Sequence, residues 1–132
     1  MAKAVRVKWA DAPADHDYPA AVSFLRLTLS PELAEALSSR FEKAPTVRQR
    51  AKDILRAARL QLLPVSDPEV ARDLKKVAAG KPLSPILLVR GELGADRALQ
   101  IADGYHRVCA SCHVSENTEV PCRLVDLPAD PE

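Results

Sequence analysis

The 132-residue chain is 47% hydrophobic and 28% charged, the balance of a folded globular protein rather than a disordered or fibrous one. Its 19 Lys and Arg against 18 Asp and Glu leave a formal charge of +1, so no global basic field exists to hold nucleic acid or anionic lipid. Aromatic residues are only 4%, which excludes a stacking platform for single-stranded bases, and no apolar run approaches the length of a membrane span.

Met1 to Arg6 carry scattered charge and no apolar leader segment, so the expected address is cytoplasmic. The length suits a single domain over residues 1–132. Residues 1–18 read as an arm or edge strand, because Val5, Val7 and Trp9 alternate with Arg6 and Lys8 before a polar, Pro-containing loop. Residues 19–80 read as mainly helical. Val22, Phe24, Leu25, Leu27 and Leu29 fit a first helix, and Ser30-Pro31 is a cap followed by proline for a second, with Leu33, Ala34, Leu37 and Phe41 on one face. Thr46 opens a third, in which Val47, Ala51, Ile54, Leu55 and Ala58 share a face. Asp67-Pro68 repeats the cap signal, Val70, Ala71, Leu74, Val77 and Ala78 give the stripe, and Gly80 stands where a C′ glycine belongs.

After Gly80 the period changes. Pro85 to Arg90 reads as a buried strand, Gly91 to Asp96 as a turn, Ala98 to Ala102 as a second strand, Tyr105 to His113 as a helix and Val120 to Val125 as a third strand. The fold class is therefore α+β, with N-terminal helices followed by a β-β-α-β unit over residues 81–126 and a tail at 127–132.

Asp103-Gly104-Tyr105-His106-Arg107 lies at a strand-to-helix junction, where glycine admits close backbone approach and the unpaired first-turn amides face outward. The helix dipole favours an anion there. In this reading Asp103 caps the helix, Gly104 gives access, Tyr105 supplies an amide, and His106 and Arg107 clasp a phosphate. His106 is the candidate general base for any reaction that follows binding.

The stretch from Asp67 to Val125 resembles the ParB/sulfiredoxin-like superfamily. The resemblance rests on Gly80, on Ser84-Pro85-Ile86-Leu87-Leu88-Val89, on Ile101 to Ala110 with its Gly-x-x-Arg box, and on Glu119 to Val125, in that order. It implies the β-β-α-β fold and a nucleotide-phosphate site at Gly104–Arg107, with Mg2+ accompanying the nucleotide. Tyr105 stands where sulfiredoxins carry the catalytic cysteine, so binding is implied and sulfinic acid reduction is not.

Two further patterns compete. Cys109-Ala110-Ser111-Cys112-His113 matches the C-x-x-C-H haem attachment signature, which makes a c-type haem protein the second alternative. Cys109, Cys112 and Cys122 with His113 or His106 would also supply zinc ligands. The helical face shared by Cys109 and Cys112 instead favours packed thiols, and the odd cysteine count argues against a disulfide framework. Between Lys43 and Arg59, six cations face the single carboxylate of Asp53, and Arg48, Lys52, Arg56 and Arg59 recur at helical spacing. This predicts a positive stripe facing phosphate, or a module for non-specific nucleic acid or a protein partner, which is the first alternative.

Overall fold

Pro85-Ile86-Leu87-Leu88-Val89 is apolar throughout, and a strand of that kind is stable only when covered on both faces. In the computed structural model, which describes residues 5–128, it forms β2 (Ile86–Val89), with all four residues buried. Ile86 and Leu88 point into one core and Leu87 and Val89 into another, as the two-residue period of a strand requires. The first core is closed by α3 (Ala51–Ala58), α4 (Pro68–Ala78) and α5 (Tyr105–Val114), the second by α1 (Asp17–Leu25) and α2 (Pro31–Lys43). The architecture is α+β, with helices on both faces of a four-stranded mixed sheet.

The sheet order is β1-β4-β2-β3, where β1 spans Thr46–Arg50, β3 Gln100–Asp103 and β4 Glu119–Val125. β4 runs parallel to β2 and antiparallel to β1, and β3 runs antiparallel to β2 with an irregularity between Leu87 and Leu88. The helix starts follow their local chemistry. Ser30 Oγ accepts from Leu33 N at 3.2 Å, and Asp67 Oδ1 accepts from Glu69 N and Val70 N at 3.0 and 3.1 Å, each ahead of a proline in the first turn. Gly80, at φ 73°, ends α4 in the left-handed conformation expected of it.

Two expectations are corrected. The helix expected from Thr46 begins only at Ala51, and Thr46–Arg50 is strand β1, paired residue for residue with β4. Pairing with a strand some seventy residues away outweighs the local i, i+4 pattern, and Val47, expected on the packed face, is exposed. The N-terminal alternation gives no strand of this sheet among the described residues. Trp9 bridges Leu83 alone, with Ala10 N donating to Leu83 O and Leu83 N to Lys8 O, both at 2.8 Å. The expected 1–18 segment lies partly outside the described residues, and α1 takes over at Asp17.

No helix among the described residues is long and apolar enough to cross a membrane.

Candidate functional site

β3 delivers Asp103 to the end of the sheet, and the chain turns into α5 through Gly104 at φ 112°. A side chain at Gly104 would be strained by that angle, and its Cβ would collide with the Ile86 Cδ1 methyl and lie 2.8 Å from Arg107 Nη2. Glycine is thus demanded twice, by dihedral and by space. Gly104, not Asp103, is the N-cap, and no side chain caps α5. Its first main-chain bond is Val108 N to Gly104 O at 3.0 Å, which leaves the amides of Tyr105, His106 and Arg107 to the turn itself.

The expected cap role of Asp103 is lost because its carboxylate is held by Arg107, whose Nη2 donates to Asp103 Oδ2 at 2.6 Å. Arg107 Nη1 donates to Ser84 Oγ and lies 3.5 Å from Asp17 Oδ1. One guanidinium thus gathers two carboxylates from opposite ends of the chain, with Asp17 and Arg107 side chains only 3% and 14% exposed. Asp17 also accepts from Ala14 N at 2.9 Å. Burial pushes Asp17 up, but the Ser84 hydroxyl and the Arg107 charge outweigh it and hold this carboxyl below its usual range. Burial also drives Asp103, and the negative charge of Asp17 beside it leaves its carboxyl above the usual range despite Arg107. The two environments push the pair apart, Asp17 down and Asp103 up.

This cluster lines a cleft of about 460 Å³ between α4 and the α5 turn, with Gly104, His106, Asp73 and Lys76 on its walls. Asp73, on α4, is 9% exposed and has no hydrogen bond or ion pair among the described residues. Burial raises its carboxyl above the ordinary range. Across the turn, Asp103, Gly104 and His106 also border a second cavity of about 470 Å³, whose other walls include Phe24, Leu60, Leu99 and Tyr105. The junction is therefore a partition between a charged cleft and a mainly apolar one. A larger hollow of about 760 Å³ between α1 and α2 contains none of the candidate site residues expected from the sequence.

The other expected residues fall in different places. The Tyr105 hydroxyl donates to Gln61 O at 2.5 Å, which ties down the loop after α3, and the Tyr105 and His106 rings lie 5.7 Å apart. His106 is 42% exposed, with Nε2 4.0 Å from Asp67 Oδ1. The basic stripe is divided, and none of its members lines the cleft. Arg48 is on β1, Lys52 is half-buried on α3, Arg56 lies 3.8 Å from Asp53, and Arg59 ends α3 at φ 57° and pairs with Asp96 at 2.6 Å. Sequence reasoning missed Asp17, Ser84, Asp73 and Lys76 as parts of the cleft. Asp73 alone left a trace, as a carboxylate among the packed positions of α4.

The C-x-x-C-H run is absorbed by packing. Cys109 and Cys122 have no exposed surface, Cys112 is half-buried, and His113 Nε2 lies 2.7 Å from Leu63 O. A vinyl group would have no access to the Cys109 sulfur. Among the described residues no three His, Cys, Asp or Glu side chains converge as a metal-holding group. The chain matches no family model, no curated protein and no solved structure.

Proposed function

We propose that this protein binds a nucleotide, or a closely related phosphorylated ligand, across the turn at residues 103–107. The observation that carries the reading is the bare first turn of α5, uncapped by any side chain and set in the wall between a charged cleft and an apolar cavity. Its amides carry about half a positive charge in sum and match phosphate oxygens. An apolar base or sugar face would lie against Phe24, Leu60 and Leu99 on the other side. The order of elements, from α4 and Gly80 through β2, β3, α5 and β4, is also the order that the ParB/sulfiredoxin-like resemblance implies.

The roles differ from those expected of the motif. Arg107 is committed to Asp17, Asp103 and Ser84, so it shapes the turn, while the Lys76 ammonium and the His106 ring are the groups left for the ligand. The cleft is lined by four carboxylates, Asp17, Glu69, Asp73 and Asp103, against the fixed cations Lys76 and Arg107. A bare phosphate entering it meets charge of its own sign, a repulsion that Mg2+ brought with the ligand offsets. Asp73, unpartnered, and Glu69, one turn earlier on α4, fit a hydrated Mg2+ held by one or two carboxylates and by the ligand's own phosphates.

The test is a thermal-unfolding screen against nucleoside mono-, di- and triphosphates with and without Mg2+, on the native chain and on Lys76→Ala/His106→Ala. A ligand at about 100 times its Kd adds about 2.7 kcal/mol, a shift of several degrees. The expected outcome is a shift by at least one Mg2+-nucleotide that the double variant reduces. No shift across the panel, or an equal shift in the variant, would falsify the reading.

A further inference from the structure

β1 is an edge strand, and every residue of Thr46–Arg50 is exposed. Its hydrogen-bonding sides can be assigned. Ala51 N donates to Thr118 O at 2.9 Å, one step past the Arg50↔Glu119 pair, so bonding to β4 falls on Gln49 and Val47 by the alternation of an antiparallel ladder. The N–H and C=O groups of Thr46 and Arg48 and the N–H of Arg50 therefore face outward, while the Arg50 C=O, at the N-cap of α3, is the first acceptor of that helix. Pro121 agrees with this register, because it stands opposite Arg48, where no bond between the two strands is due. Among the described residues no other backbone group reaches that outer edge.

The edge is firmly mounted. Arg123, opposite Thr46, donates to Phe41 O and Glu42 O at 3.1 and 2.9 Å and so pins the end of α2 beside the start of β1. Arg48 and Arg50, two residues apart, project from the same face. Neither makes an ion pair among the described residues, although Glu119 stands opposite Arg50.

We infer that the β1 edge is a docking site for an extended acidic segment of a partner protein, which adds as a fifth strand with Asp or Glu at alternate positions opposite Arg48 and Arg50. Three features select this occupant. An open edge offers donors and acceptors in alternation, which another strand matches and a row of phosphates, all acceptors, does not. A second copy pairing antiparallel about Arg48 would set guanidinium against guanidinium, an arrangement that destabilises a ladder. The strand also lacks any aromatic residue on which a base could stack. Two acids separated by one residue in an extended chain reproduce the spacing of Arg48 and Arg50, whereas adjacent acids fall on opposite faces.

The test uses three probes on the native chain: a short peptide alternating Glu with Val and Thr, a peptide of the same composition with its glutamates adjacent, and a single-stranded oligonucleotide of equal charge. Binding is read by fluorescence anisotropy and by amide hydrogen exchange. The alternating peptide is expected to bind most tightly and to slow exchange at Thr46, Arg48 and Arg50. Arg48→Glu/Arg50→Glu is expected to weaken it by about tenfold or more, while circular dichroism and the melting temperature show the fold retained. The inference fails if the two peptides bind alike, if the oligonucleotide binds better, or if those amides exchange unchanged in the complex. These readouts are independent of the nucleotide screen, since β1 contributes nothing to either cavity at the turn.

Discussion

Arg107 meets its carboxylates in two different states. Asp17, 3% exposed, is held below the usual carboxylate range by Ser84, the guanidinium and Ala14 N, while burial and the neighbouring Asp17 hold Asp103 above it. Removing a partner from such a cluster leaves buried charge uncompensated, which is why the arginine serves the fold before it serves a ligand. Asp73 lies in the same cleft without any such partner, and its raised carboxyl makes a signed prediction. A carboxyl whose pKa is raised in the folded state is a liability at neutral pH, and that liability disappears as the pH falls below the ordinary carboxylate value. Asp73→Asn should therefore stabilise the protein by about 1 kcal/mol at pH 7, with the gain fading toward pH 4, and it should weaken any Mg2+-dependent nucleotide shift. Urea unfolding of both proteins at pH 7, 5 and 4 reads this directly. A variant less stable than the native chain at pH 7 would mean that Asp73 has a favourable partner within the fold.

At the scale of elements, the turn into α5 requires glycine for reasons that α4's end does not share. Gly80 has φ 73° and only the flexible Lys8 Nζ near the place of a Cβ, at 3.6 Å, whereas Gly104 adds a collision with Ile86 to an angle of 112°. Gly80→Ala is expected to cost about 1 kcal/mol and Gly104→Ala about 2 to 4, measured by chemical denaturation. Equal losses would remove the argument for close approach at the turn. What the sequence made legible is the part written locally. Ser30-Pro31 and Asp67-Pro68 mark their helix starts, Gly80 its stop, and the unbroken apolar run its buried strand, because each depends on neighbours within a turn or two. β1 escaped because its strand character comes from β4 and not from Thr-Val-Arg-Gln-Arg alone. Asp17 escaped for the same reason. The sequence places it in the polar loop of the 1–18 arm, and its contact with Arg107 spans ninety residues.

At the scale of the molecule, β2 and β4 form the parallel centre of the sheet, with helices on both sides, so a thiol on β4 reports on the whole assembly rather than on one element. Cys122 sits there with no exposed surface, packed in the same core as α3 and α5, and burial pushes its thiol up to about 11. At pH 8 only about one molecule in a thousand would carry the thiolate even if a reagent could reach it. Cys109, buried against the same sheet face, is also raised by burial, while Cys112, packed at the rim of that core, keeps partial exposure. A disulfide reagent at pH 8 should accordingly modify Cys112 alone in the native protein. Cys109 and Cys122 should then react together, at a rate that rises with urea as global unfolding does, because exposing either one requires α5 to leave the sheet. Peptide mapping after short labelling times separates the three sites. Early modification of Cys122 in the absence of urea would mean that β4 opens without the rest of the sheet, and the sheet would then not be the single cooperative unit on which both the α5 turn and the β1 edge are mounted.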